Sequence, residues 1–85
     1  MDESLKIIGE RLYELRTEAG VTMDVVVESL NENGGKISRG NLSRWERGEN
    51  LPSVDALRRL RSYYNVTADY LLGLSDERGG SNDNS

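Results

Sequence analysis

The 85-residue chain contains neither cysteine nor histidine. That excludes disulfides, thiolate or imidazole zinc sites, Cys-His and Ser-His-Asp nucleophiles, and the usual neutral-pH proton shuttle. Proline occurs once, and hydrophobic residues make up only 35% of the chain. This is low, yet enough for one compact helical core. A chain this short buries only about 60% of its unfolded surface, so a deep catalytic cleft is hard to build. No pure apolar run exceeds Val25-Val26-Val27, far short of the ~20 residues of a membrane-spanning helix. The acidic start Met1-Asp2-Glu3-Ser4 does not read as a signal peptide. The expectation is a soluble, cytoplasmic protein with no membrane partner and no cofactor or metal. Carboxylates are abundant but fall on exposed helix faces, without a nucleophile constellation or a glycine-rich phosphate loop, so an enzyme is not expected.

Positive charge is also scarce overall, since the net charge is −4. Its distribution is more informative than its sum. The middle third carries Lys36, Arg39, Arg44, Arg47, Arg58, Arg59 and Arg61 against Glu46, Glu49 and Asp55, while both flanking segments are acidic. Solvated helix faces account for this as well as a binding surface does.

Leu5, Ile8, Leu12 and Leu15 recur at the spacing of one helix face, and Gly20 stops this first helix. Thr22 caps a second, with Val26 and Leu30 on its buried edge despite the β-branched run between them. Asn31 to Lys36 is a polar, glycine-centred turn. Ser38 caps a third helix that runs to Arg47 and is closed by Gly48. A fourth helix follows Pro52-Ser53, with Val54, Leu57, Leu60 and Tyr64 as its expected inner stripe and Asn65 as its end. Thr67 caps a short fifth helix, Ala68 to Leu72, which stops at Gly73. The expected division is an N-terminal tail (1–4), an all-α five-helix domain (5–74) and a disordered polar tail (75–85).

At about 100° per residue, Gly40, Ser43, Arg44 and Arg47 of the third helix fall in one arc of about 100°, opposite Leu42 and Trp45. Arg39 lies on the edge of that arc. Such a face suits the major groove of DNA: arginine can donate two bonds to guanine O6 and N7, and serine can reach a phosphate or base edge. The absence of a side chain at Gly40 would allow close backbone approach. A merely hydrophilic face, with Gly40 as a helix defect of roughly 1 kcal/mol, is the plain alternative.

The segments Leu12-Tyr13-Glu14-Leu15-Arg16-Thr17-Glu18-Ala19-Gly20-Val21-Thr22, Leu42-Ser43-Arg44-Trp45-Glu46-Arg47-Gly48, Leu51-Pro52-Ser53 and Val66-Thr67-Ala68-Asp69-Tyr70-Leu71-Leu72-Gly73 resemble, in order, those of the phage repressor and Cro helix-turn-helix (XRE) family. The resemblance implies a lambda-repressor-like domain of five helices, with the second and third as the DNA-binding pair. It places Arg39, Gly40 and Arg44 at base-facing positions, Ser38 and Ser43 near phosphates or bases, and Arg47 at a phosphate. Asn41 either touches DNA or hydrogen-bonds within the protein, and Asn50 is either a backbone contact or loop filler. Arg16 and Glu46 match a structural ion pair between the first and third helices.

The implied function is a sequence-specific, double-stranded-DNA-binding regulator, expected to be a repressor and a homodimer on a two-fold operator. Tyr70, Leu71, Leu72 and Leu74 are either its dimer contact or ordinary core. The alternative is a protein-interaction module on the same fold, binding through the acidic first helix. Two departures bear on the DNA face. Met23 stands where the family often has a phosphate-binding glutamine, so that contact is expected to be lost. Six residues separate Leu30 from Ile37, about five more than usual, as in some repressors resembling those of temperate phages of Gram-positive hosts. The long turn is either an inert surface loop, dispensable for folding, or a source of phosphate contacts through Lys36 and the Gly-Gly backbone.

Overall fold

A computed structural model describes residues 3–79, and every regular element among them is helical: α1 (Glu3–Ala19), α2 (Met23–Leu30), α3 (Arg39–Glu46), α4 (Val54–Tyr64) and α5 (Ala68–Leu72). Four of the five begin in the same way. The hydroxyls of Thr22, Ser38, Ser53 and Thr67 accept from Val25, Asn41, Ala56 and Tyr70 amides, satisfying a donor that the first helical turn leaves free. α1 starts at Glu3, earlier than the expected boundary at residue 5.

One core joins all five helices: Ile8, Leu12 and Leu15 from α1, Val26 and Leu30 from α2, Leu42 and Trp45 from α3, Ala56 and Leu60 from α4, and Tyr70 and Leu71 from α5. The stripe of α4 differs from expectation. Val54 is 77% exposed, Leu57 and Tyr64 are only half-buried, and Ala56 lies fully inside. Alanine is too small to announce a core face by periodicity, yet Ala56 and Leu60 set the centre of this one.

α1 meets the end of α3 at Gly9. A Cβ there would lie 2.7, 2.8 and 2.9 Å from Trp45 O, Glu46 O and Gly48 N. Those are backbone atoms, so no side-chain rotation relieves the clash. Gly9 thus brings α1 directly against the backbone that terminates α3.

The long turn is tied to the rest of the fold. Asn31 Nδ2 donates to Ile37 O at 2.8 Å, and Ile37 N donates to Asn31 Oδ1 at 2.7 Å, so one side chain closes the loop at its base. Arg59 of α4 donates to Leu30 O and Glu32 O, both at 2.9 Å, occupying a carbonyl that the end of α2 leaves free and one of the turn that follows.

The ordered part also runs further than expected. Residues 75–79, assigned to the disordered tail, form a strap along α1 and α5. Thr67 N donates to Arg78 O at 2.8 Å, Arg78 holds Glu18 by two bonds of 2.8 and 2.9 Å, and Arg11 donates to Tyr70 O, Ser75 O and Asp76. The expectation for residues 80–85 lies outside the described residues. Arg78 holds the Glu18 carboxyl below its ordinary pKa. A carboxylate whose folded pKa is depressed stabilises above its unfolded pKa and loses that contribution as pH falls through the folded one. The strap is therefore expected to loosen in acid below the ordinary glutamate range, as pH falls through the depressed pKa of Glu18. The chemical shift of the Thr67 amide, followed in an acid titration, reads this directly.

Among the described residues, one buried side-chain polar atom has no partner, the Tyr64 hydroxyl. Burial is the main reason that its pKa is pushed well above the ordinary tyrosine value. An unpaired buried hydroxyl costs about 1–3 kcal/mol. Tyr64→Phe is expected to stabilise the fold by about 1 kcal/mol, seen as a raised midpoint in thermal or urea unfolding. A lowered midpoint would show that the hydroxyl has found a partner.

Candidate nucleic-acid interface

α3 is amphipathic in the sense that its sequence requires. Leu42, Trp45 and Glu46 are buried, Ser43 and Asn41 are half-buried, and Arg39, Gly40, Arg44 and Arg47 are exposed. The fold thus brings three exposed residues of an eight-residue helix and its C-cap, Arg47, to one side. Gly40 is under no steric pressure in the free protein, since the nearest atom to an added Cβ is Arg44 Nη1 at 3.6 Å.

Ser38, Asn41 and Arg44 are engaged with one another. Ser38 Oγ accepts from Asn41 N at 3.0 Å and so starts the helix. Asn41 Oδ1 accepts from Arg44 Nη2 at 3.1 Å. This engages Asn41 within the protein and draws Arg44 along the helix surface. Asn50 is exposed and, with Lys36 and Asn41, lines one shallow depression between the long turn and α3.

Behind this face lies the expected ion pair. Arg16 donates from Nε to Glu46 Oε2 at 2.7 Å and from Nη2 to Glu46 Oε1 at 3.0 Å, with a further bond from Nη1 to Val21 O at 3.2 Å. The two side chains are only 15% and 3% exposed. The bond to Glu46 raises the Arg16 pKa above the ordinary arginine value. A forked guanidinium–carboxylate pair fixes orientation as well as distance. Together with Gly9, it sets how α3 stands relative to α1.

Two residues near the face were missed in the sequence. Asp24 Oδ1 of α2 lies 3.5 Å from Arg39 Nη1, and Glu49, just after α3, accepts from Arg47 Nε at 2.9 Å and from Nη2 at 3.4 Å. The Glu49 pair was open to sequence reading, because residues two apart around a helix end with a left-handed glycine between them readily meet. The Asp24 pair requires the α2–α3 crossing and was not.

No helix among the described residues is long and apolar enough to cross a membrane. The chain matches the family described as "Helix-turn-helix domain" over residues 7–72. It is 44% identical over 66 residues to the HTH-type transcriptional regulator ImmR of Bacillus subtilis (strain 168), covering 78% of this chain and 48% of that protein. It is also 33% identical over 63 residues to the HTH-type transcriptional activator BcrR of Enterococcus faecalis, covering 74% of this chain and 28% of that protein. The chain thus spans about half the length of the first of these relatives and less of the second. On the extent of the domain match and the helices that realise it, the chain belongs to the helix-turn-helix domain family.

Proposed function

We propose that the chain is a sequence-specific DNA-binding transcription regulator, and a repressor, that docks α3 in the major groove. The observation that carries this reading is the exposed side of α3, with Arg39, Gly40, Arg44 and Arg47 outward and Leu42, Trp45 and Glu46 anchored inward. Arg44 is the base reader, its guanidinium matched to guanine O6 and N7. Arg39 and Gly40 lie beside it at the helix start. Ser43, Arg47 and Asn50 take phosphates, and Ser38 adds its hydroxyl proton while it caps the helix. Lys36 lines the same depression as Asn50 and is the further phosphate contact that the long turn supplies.

One such helix reads only a few base pairs, so the binding unit is a homodimer on a two-fold operator. Tyr70 and Leu71 are committed to the core and Leu72 packs against it. Of the fifth-helix set, only Leu74, 74% exposed, is left to serve the dimer. One relative is named as a transcriptional activator, so the sign of regulation is tested separately from binding.

The test is selection of bound duplexes from a random pool, followed by gel-shift titration at several salt concentrations. A recovered two-fold site, bound with a steep salt dependence, is the expected result. No duplex affinity at low salt would overturn the reading and favour a protein-interaction module.

A further inference from the structure

The arginines of the α3 face are not equally available. Arg39 sits with Asp24, and Arg47 donates two bonds to Glu49. Between them, Arg44 has, among the described residues, only the neutral Asn41 oxygen. All four paired side chains are more than half exposed, and ion pairs this exposed stabilise a fold only weakly. Folding therefore does not account for them. On a surface that approaches a polyanion they have a definite consequence: each carboxylate repels phosphate and occupies a guanidinium that a phosphate would otherwise take.

We propose that Asp24 and Glu49 are intramolecular stand-ins for DNA phosphates, competing with the duplex for Arg39 and Arg47 and so damping the electrostatic part of binding. Docking exchanges the Glu49 carboxylate for a phosphate oxygen on Arg47, and frees Arg39 at the helix start from Asp24 for the acceptors of the groove and its phosphate edge. The exchange leaves the displaced carboxylate unpaired beside the DNA, so the net gain per arginine is smaller than for a free side chain. Arg44, without a carboxylate partner, keeps its full capacity for base edges. Affinity then leans on the base-reading residue more than the number of arginines implies. The inference rests on the proposed docking of α3.

The experiment titrates Asp24→Asn and Glu49→Gln against the selected site and against random duplex, at several salt concentrations. Each is expected to tighten binding to both duplexes by about two- to five-fold. Each should also steepen the dependence of log K on log salt by up to about one. The Glu49 variant changes no helical residue, so it stands even if Asp24→Asn weakens α2. Glu77→Gln, the same unit of charge removed from the strap, is expected to bind like the parent. Unchanged affinity, weakened affinity for the selected site, or an equal gain in Glu77→Gln would each overturn the proposal. Weakened binding would mean that the carboxylates position the arginines for DNA, and an equal gain would mean that only net charge matters. Arg44→Ala, measured alongside, separates the failures. If it alone loses the selected site, docking stands and the competition is disproved; if it also binds unchanged, both fall.

Discussion

Glu46→Ala is expected to lower the stability of the fold by about 3 kcal/mol, far more than a surface substitution on α3. The carboxylate is 3% exposed and makes two bonds to Arg16, itself only 15% exposed. Its removal strands a guanidinium that keeps the Val21 carbonyl as partner but loses its counter-charge. The net worth of a buried pair is modest, because both ions were taken out of water to form it; the large loss comes from leaving one behind. A double-mutant cycle with Arg16→Ala distinguishes the two quantities. The single variants should each be strongly destabilised and the double variant much less than their sum, with coupling above about 1 kcal/mol in urea unfolding. Coupling within error of zero would mean that the two side chains do not meet in solution. A functional consequence follows from geometry: α3 loses the ion pair that orients it against α1, so DNA affinity should fall even though Glu46 faces away from the proposed groove.

How much of this was legible in the sequence depends on whether a feature is local. The caps at Thr22, Ser38, Ser53 and Thr67 were readable because each is a short-range bond between a hydroxyl and an amide three residues on. The outward face of α3 was readable because helical period alone places Arg44 and Arg47 opposite Leu42 and Trp45. Gly9 was not read, although glycine inside a long helix costs about 1 kcal/mol relative to alanine and so hints at a close approach. What it approaches, the backbone of Trp45 and Glu46, is a property of the α1–α3 crossing. The strap was misjudged for a related reason. Residues 75–79 carry no apolar side chain, and composition then predicts disorder, but Arg78 reaches Glu18 sixty residues away and Thr67 lends its amide. Asn31 and Arg59 illustrate the same limit, since a polar turn looks inert until the carbonyls it must satisfy are known.

Arg44→Ala and Arg47→Ala are expected to fail in different ways, and the difference reports the docking orientation. Arg44 lies in the body of α3 on its exposed side, tethered to Asn41. Its loss should cost about 1–3 kcal/mol at the selected site and relax preference at one base pair, because a missing bidentate donor leaves that base unread. Arg47 is the C-cap residue, where α3 ends before Gly48 and the chain turns away. A phosphate is the natural partner there. Arg47→Ala should weaken the selected site and its single-base variants about equally and lower the salt slope by about one. Titration of each variant against that series, at several salt concentrations, separates loss of reading from loss of anchoring. If Arg47→Ala changes base preference while Arg44→Ala shifts every site together, α3 enters the groove by its C-terminal rather than its N-terminal half. Gly40 and Arg39 would then lie outside the groove, and Glu49 would face the bases instead of the backbone.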